Sequence, residues 1–472
     1  MQKSKIILLL KSFDSKELRA LSDFVCSPYF NKNEELIKLY HYLKKYAPRG
    51  FPEKQVNRER LYKHLYPGAP YDEKQLNHLL SLLFKLAERF LSVRSFEADG
   101  IRPECYLLEN YIDRHLNKPY NHIYQKALAT IENQPTKDDH YFFQRFMLAN
   151  IAEKHFSSQG VRRYDENLEV ASDYFDLYFL SKKLYFLCAI MAREKVVPHD
   201  YRKSMVHAIK SYLRDNDYSH IPYIAVYHQL LLSLTEDQAD VHFQKFRAYL
   251  KKHATTFQLS ERKDLYYYAI NFCIQKIHHG IKTYTEELLN LYQEGIETGV
   301  LLEDGYLSPW TFKNMVKLSL GLKRLDWVED FVVEYSAKLP VAEREGALHF
   351  NLADLAYHKK NYDRALQHLN QVEFTDIHYN LGAKAMLLKI YYEKKETEAF
   401  LSLQSAFRIF LKRNKRIPKY TRACYLNFID FLYQLFKYGT DRMDELRQQI
   451  KDSQALNGRN WLLQQLQRVE KE

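Results

Sequence analysis

Apolar side chains recur every three or four residues along most of the chain, which is the spacing of one face of an α-helix. The stretch 72–94 shows this most clearly, because its charged residues fall off the face that carries the apolar ones. That apolar face consists of Leu76, Leu79, Leu80, Leu83, Ala87 and Phe90. Further upstream, Asp14 followed three residues later by Glu17 predicts a capping box at a helix start. The pattern therefore predicts an all-α fold.

Proline, glycine and polar residues divide this pattern into three parts. Residues 1–98 are predicted to form an N-terminal helical domain, which Gly100 and Pro103 separate from the rest of the chain. A middle helical segment is predicted over residues 104–214, ahead of a polar break and Pro222. The third predicted part is residues 222–472, where the chain repeats itself.

The repeat has a period of 34 residues. Three residues have identical counterparts one period later, and the pairs are Tyr357 with Tyr391, Ala365 with Ala399, and Leu369 with Leu403. Small residues fit where two helices approach closely, and leucines fill the seam between them. One such hairpin cannot bury its apolar face alone, so neighbouring hairpins are expected to stack.

Over about residues 310–440 the chain resembles the tetratricopeptide-repeat family. The resemblance lies in Asn351-Leu352-Ala353 of the first helix and in Ala365, Leu369 and Val372 of the second. It implies that residues 222–472 form an irregular α-solenoid of hairpins with a C-terminal capping helix. It also implies a concave surface, lined by the first helix of each hairpin, that binds a protein or peptide.

Carried over residue by residue, the family's inner-surface positions are Phe350, Asp354, Tyr357, His358, Lys384, Leu388, Tyr391 and Tyr392. This set mixes aromatic anchors with charges and suits a peptide with an apolar side chain. The alternative is that these residues only pack on the adjoining repeat. A second resemblance, through residues 27–33 and the 72–91 helix, is to an uncharacterised family of bacterial all-helical proteins, and it implies no activity.

Composition excludes several classes of protein. With 13 Gly and 13 Pro in 472 residues, a collagen-like chain is excluded, and a β-rich fold is hard to build because tight hairpin turns need glycine. Glycine-rich phosphate loops, metal-binding CxxC and HExxH spacings and nucleophile elbows do not occur in the sequence. We therefore expect a protein that is not an enzyme and that uses no cofactor and no metal.

The distribution of cysteines and of apolar runs indicates the cellular compartment. The five cysteines are dispersed and odd in number, which predicts reduced, buried thiols. The apolar run 6–10 is too short for the core of a signal peptide, and the longest later run, 184–192, has about half the length of a membrane span. The sequence thus predicts a soluble cytoplasmic protein without a membrane partner.

Charge suggests an alternative function. The net charge is +11, and the excess lies at the two ends, with +6 over residues 1–100 and +7 over residues 401–472. The densest cluster contains no acid and consists of Arg408, Lys412, Arg413, Lys415, Arg416, Lys419 and Arg422. Cations in the last turn of a helix are favourable without any partner. The alternative is a contact with phosphate, which would make the protein nucleic-acid- or ribonucleoprotein-associated.

Overall fold

The computed structural model describes residues 1–194, 197, 199–372, 377–438 and 443–470. These residues form 23 α-helices, two short 3-10 helices and one two-stranded antiparallel pair. The predicted all-α class is therefore confirmed. By its internal contacts the chain divides into two compact units, Met1–Met191 with His199–Leu231, and Ala192–Pro198 with Leu232–Glu472. The three-part division expected from the sequence stays a prediction.

Eleven of the described helices begin in the first unit. They are α1 Lys5–Lys11, α2 Ser15–Cys26, α3 Glu34–Tyr46, α4 Arg58–Leu65, α5 Glu73–Ala98, α6 Arg102–Asp113, α7 Asn117–Glu132, α8 Asp139–Ser158, α9 Glu166–Glu194, α10 Val206–Asp215 and α11 Pro222–Thr235.

Helix α5 is the centre of an apolar core in the first unit. Helices α1 to α4 pack against it, and all six residues of its predicted apolar face are buried. The capping box is present at the start of α2. The Asp14 carboxylate accepts the Glu17 backbone N–H at 2.7 Å, and the Glu17 carboxylate accepts the Asp14 N–H at 2.9 Å. The apolar period and the cap predicted for this unit are thus confirmed.

Twelve described helices begin in the second unit. They are α12 Ala239–Lys252, α13 Leu259–His278, α14 Tyr284–Glu297, α15 Pro309–Gly321, α16 Leu325–Ser336, α17 Val341–His358, α18 Tyr362–Asn370, α19 Ile377–Glu393, α20 Thr397–Arg413, α21 Lys419–Tyr438, α22 Met443–Asp452 and α23 Arg459–Val469. Strands β1 Leu302–Glu303 and β2 Tyr306–Leu307 pair between α14 and α15.

The helices of the second unit pack in chain order as antiparallel pairs. Helix α13 packs on α14, α15 on α16, α17 on α18 and α19 on α20. The first helices also pack on one another, α15 on α17, α17 on α19 and α19 on α21. One apolar core extends from α19 to α23. This arrangement places α15, α17 and α19 side by side, and they carry the candidate site.

The same type of turn joins the two helices in three of these pairs. A lysine with left-handed backbone follows the first helix in each, Lys323 at φ 59°, Lys360 at φ 61° and Lys395 at φ 60°. Its N–H donates to the carbonyl three residues back, and the next N–H donates to the carbonyl five residues back. These bonds satisfy carbonyls that the helix end leaves free. A side chain in this conformation costs about 1–2 kcal/mol, so the turn is made at an energetic cost.

All five cysteines are free thiols. Cys105, Cys188 and Cys273 are buried, and Cys424 is partly buried. Cys26, the last residue of α2, is exposed, so the expectation of burial is wrong for this residue.

The left-handed turns predict a stabilising substitution. Lys323 is exposed, and glycine adopts positive φ without the steric penalty of a Cβ atom. Lys323→Gly should therefore raise the free energy of unfolding by about 0.5–1 kcal/mol. Urea denaturation followed by circular dichroism measures it. Lys323→Ala keeps the Cβ atom and removes the charge, so an equal gain in that variant would contradict the explanation.

Candidate functional site

The four predicted site residues in α17 lie on one side of that helix. Phe350, Asp354 and Tyr357 are buried, whereas the His358 side chain is 41% exposed. Phe350 is buried because it packs on α19 at Gly382, where a Cβ atom would lie only 2.9 Å from its ring. Three of the four residues therefore pack against the chain's own helices.

The other four predicted residues, in α19, have the same spacing and also lie on one side of their helix, but this side is rotated relative to that of the α17 set. The equivalent turn residues Lys360 and Lys395 are 35 residues apart, one more than the period found in the sequence. One residue rotates a position by about 100° on a helix. Tyr392 therefore corresponds to Tyr357 and lies on the side of α17's site residues. The remaining three, Lys384, Leu388 and Tyr391, correspond in position to none of the four predicted residues of α17. Leu388 is fully buried, and the Lys384 ammonium lies 5.5 Å from the ring centre of Phe410 in α20.

With the turns as reference, one charged residue occupies the same position in three neighbouring helices. These residues are Lys317 in α15, Asp354 in α17 and Lys389 in α19. Burial lowers the pKa of the Lys389 ammonium; the charge of Asp354 opposes that shift, and the charge of Lys317 adds to it. The charges of Asp354 and Lys317 therefore both act at Lys389, and the three residues form a row across the three helices.

The lysines of this row are not neutralised within the described part of the chain. Lys389 and Lys317 form no hydrogen bond or ion pair there. The Lys389 ammonium instead lies 5.2 Å from the ring centre of Trp461 and 5.8 Å from that of Phe428. Ring faces attract a cation but supply no hydrogen-bond acceptor of a carboxylate's strength. A partly buried ammonium in this state favours an anionic ligand.

Asp354 is engaged by a histidine on its own helix. The His358 Nδ1 atom lies 2.8 Å from the Asp354 carbonyl oxygen and 3.3 Å from its carboxylate. Burial lowers the pKa of His358, but the hydrogen bond and charge of Asp354 outweigh burial and raise it. Asp354 therefore interacts with His358 as well as with Lys389. With two lysines and one aspartate, the row keeps a net positive charge.

A pocket of about 220 Å³ adjoins the row at Lys317. Helices α13, α14 and α15 line it. Its apolar walls are Ile274, Ile277, Leu288, Tyr292 and Leu318. Its polar residues, His278, Asn314 and Lys317, lie at least partly exposed and form the rim. The pocket offers space for an apolar side chain beside a cation.

A buried carboxylate closes the other end of the row. Glu393, the last residue of α19, is only 5% exposed in its side chain. It accepts hydrogen bonds from the Tyr357 hydroxyl, the Tyr362 hydroxyl at 2.5 Å, the Lys360 ammonium at 2.7 Å and the Trp461 indole at 2.9 Å. Burial raises the pKa of Glu393, but these four donors outweigh burial and lower it to about 2. Glu393 is thus held ionised and fully partnered.

Trp461 is the site residue that sequence reasoning missed. It comes from α23, and its indole N–H also lies 2.7 Å from the Tyr357 hydroxyl, while its ring lies 5.8 Å from Tyr392. The sequence offers only the rarity of tryptophan, three in 472 residues, as a signal. A contact between residues 104 positions apart leaves no local pattern. Helix α23 therefore covers the Tyr357–Tyr392 end of the face.

The seven-cation cluster lies around the end of α20 and the start of α21. Two of its members have structural partners. Arg408 pairs with Asp430, and Arg422 donates to the Asn414 and Ile417 carbonyls at 2.9 and 3.1 Å. The other five are exposed, namely Lys412, Arg413, Lys415, Arg416 and Lys419. The exposed positive charge is therefore concentrated at residues 414–418, which join α20 to α21, and at the helix ends on either side.

Metal-binding groups and membrane-spanning helices are both missing from the described residues. Among these residues, no three His, Cys, Asp or Glu side chains come together in a way that could hold a metal ion. None of their helices is both long and apolar enough to cross a bilayer. Comparison of the whole chain with family models, with curated proteins and with solved structures finds no match.

The Glu393 cluster predicts acid sensitivity of the second unit. An unfolded glutamate titrates near its ordinary value of 4.5, and the folded one near 2, so the stabilisation is complete above pH 4.5 and is lost as pH falls from there towards 2. This shift corresponds to about 3 kcal/mol. Glu393→Gln should therefore lower the free energy of unfolding by about 2–3 kcal/mol at pH 7. It should also weaken the acid dependence, as urea titrations between pH 7 and pH 3 would show.

The matched control is Glu396→Gln. Glu396 lies in the turn that follows α19 and pairs with Lys394 at 3.0 Å on the surface, where solvent screens an ion pair and leaves it little effect on stability. Equal losses of stability in the two variants would contradict the role assigned to Glu393.

Proposed function

We propose that the second unit is a non-enzymatic, tetratricopeptide-like scaffold whose α15, α17 and α19 bind an acidic peptide segment of a partner protein. We call the binding surface the cationic face and define it by Lys313, Lys317, His358 and Lys389. The observation that carries the proposal is Lys389, a partly buried ammonium with no anionic partner in the described residues. Binding a carboxylate there would neutralise this charge.

Aromatic rings and a pocket beside the cations support a peptide rather than a small anion. The Lys313 ammonium lies between 5.1 and 5.8 Å from the ring centres of Phe350, Tyr379 and Trp310. Trp310 is 54% exposed, so it offers apolar contact at the surface. The pocket at Lys317 would take an apolar side chain of the same peptide. Stacked helix pairs commonly present extended surfaces of this kind.

A double variant tests the cationic face. Lys317→Gln with Lys389→Gln should abolish nuclease-resistant recovery of a partner in affinity purification from the native cell. With the recovered peptide, each single variant should weaken binding by about tenfold, since a hydrogen bond to a charged group contributes about 1.5–3 kcal/mol. Calorimetric titration measures this loss.

Lys282→Gln is the matched control, because Lys282 is an exposed lysine of the same unit outside this face. It should bind the partner as the wild type does. Undiminished recovery by the double variant would refute the proposal. Circular dichroism should show unchanged helix content, because the double variant removes no hydrogen bond within the described residues.

The second candidate function is nucleic-acid binding through the cluster at residues 408–422. The specific observation in its favour is that five of the seven cations are exposed and that Tyr420 beside them is 66% exposed. Cations that follow a phosphate backbone, together with an exposed ring for stacking, suit single-stranded nucleic acid.

This second function makes its own prediction. Changing Lys412, Arg413, Lys415 and Arg416 to Glu should abolish binding of a single-stranded oligonucleotide. For the wild type, the logarithm of the association constant should fall with the logarithm of salt concentration with a slope of about −3, as expected for four phosphate contacts. Fluorescence anisotropy measures both effects. Binding that persists in this variant and is lost with Lys317→Gln and Lys389→Gln would refute the assignment to the cluster.

A further inference from the structure

A second pocket lies in the same unit and shares no residue with the cationic face. It has a volume of about 150 Å³ and is formed by α14, α15 and α16. Ile296 and Met315 are buried at its base. The proposed peptide-binding function does not involve this pocket, which is lined by carboxylates where the cationic face carries lysines.

One wall of this pocket is a ladder of aromatic rings. Trp327, Phe331 and Tyr335 occur every fourth residue in α16, so they lie on one side of the helix. Their ring centres are 4.8 and 4.9 Å apart, and the planes are within 23° of parallel. Phe331 also stacks on Phe312 of α15 at 5.1 Å, which fixes the ladder from behind. Trp327 and Tyr335 remain partly exposed at its two ends. The wall is thus rigid, aromatic and accessible.

Three carboxylates surround the ladder. Glu297 of α14 and Asp330 and Glu334 of α16 line the pocket and remain accessible to solvent. Within the described residues none of the three forms an ion pair or a hydrogen bond. Other acids on the same two helices are paired, Glu286 with Arg324, and Glu329 with Lys359 at 2.5 Å. In a chain of net charge +11, three such carboxylates around one pocket form a local anionic site.

The ladder already attracts a cation of the chain itself. The Lys338 ammonium lies 4.5 Å from the ring centre of Tyr335. It forms no ion pair with the three pocket carboxylates in the described structure, so their charge remains available. Burial, together with the charges of Glu334 and Glu297, raises the pKa of Tyr335, which shows that these carboxylates act at the ring. The pocket therefore combines ring faces with negative charge.

We propose that this pocket binds the guanidinium group of an arginine side chain on a partner protein. A guanidinium is planar, so it stacks on Trp327, and its N–H groups donate to the carboxylates of Glu297, Asp330 and Glu334. A quaternary ammonium could use the rings but has no N–H to donate. An anion is excluded by the three carboxylates. The apolar base at Ile296 and Met315 suits the aliphatic stem of the side chain.

The test compares two neutral-backbone probes on the full-length protein. N-acetyl-arginine methylamide carries the guanidinium, and N-acetyl-citrulline methylamide has nearly the same shape without the charge. Titration followed through the Trp327 indole resonance, assigned with Trp327→Phe, should show saturable binding of the arginine compound. The citrulline compound should bind at least about tenfold more weakly, because it forms no charge-assisted hydrogen bond. Equal binding of the two probes, or no binding of either, would overturn the proposal.

Variants locate the site. Asp330→Asn with Glu334→Gln should weaken arginine binding by about tenfold or more, since two charged acceptors are lost. Asp326→Asn is the matched control, because Asp326 is an acid at the start of α16 that lies outside the pocket. Equal weakening in the control would indicate general electrostatic attraction and overturn the assignment. Binding unaffected by the double variant would overturn it as well.

Discussion

The carboxylate of Glu393 is the constraint on which the candidate site depends. A negative charge at the C-terminal end of a helix opposes the helix dipole, and burial adds a desolvation cost. Four donors offset both effects, and they come from α17, the turn after it, α18 and α23. Because an unpaired buried carboxylate costs several kcal/mol, these four segments must be in place together. The cluster thus fixes the end of α17 against α19 and holds α23 across both.

This constraint explains a residue that otherwise contradicts backbone preference. Lys360 has a left-handed backbone that glycine would adopt at lower cost, but only a long cationic side chain reaches Glu393 from that turn. The same turn at Lys323 and Lys395 has no such partner among the described residues. The three turns therefore share a geometry that satisfies the carbonyls at the helix ends. In one of them, the lysine side chain also donates to the buried carboxylate of Glu393.

The sequence predicts local features of this fold well and long-range ones poorly. The apolar face of α5 and the capping box at Asp14 follow from spacing over a few residues, and both are present. The candidate site is harder to predict. The sequence period is 34 residues, but the equivalent turns are 35 residues apart, so the residues carried over to α19 are displaced by one position and fall on another side of that helix. The row of Lys317, Asp354 and Lys389 is recognised only from the positions of the turns, which depend on helix lengths. Trp461 depends on tertiary packing alone.

The periodicity of α15 separates the two proposed binding surfaces. Lys313 and Lys317 are four residues apart and lie on one side of this helix, whereas Met315 lies between them in sequence and faces the α14–α16 pocket about 200° away. One side therefore presents cations and the other adjoins carboxylates. The two sides share no residue, so we expect a substitution on one side to leave the side chains of the other in place. If both proposals hold, an acidic segment and an arginine of a partner are bound on separate sides of α15, and the opposite charges of the two surfaces would favour a partner that carries both groups.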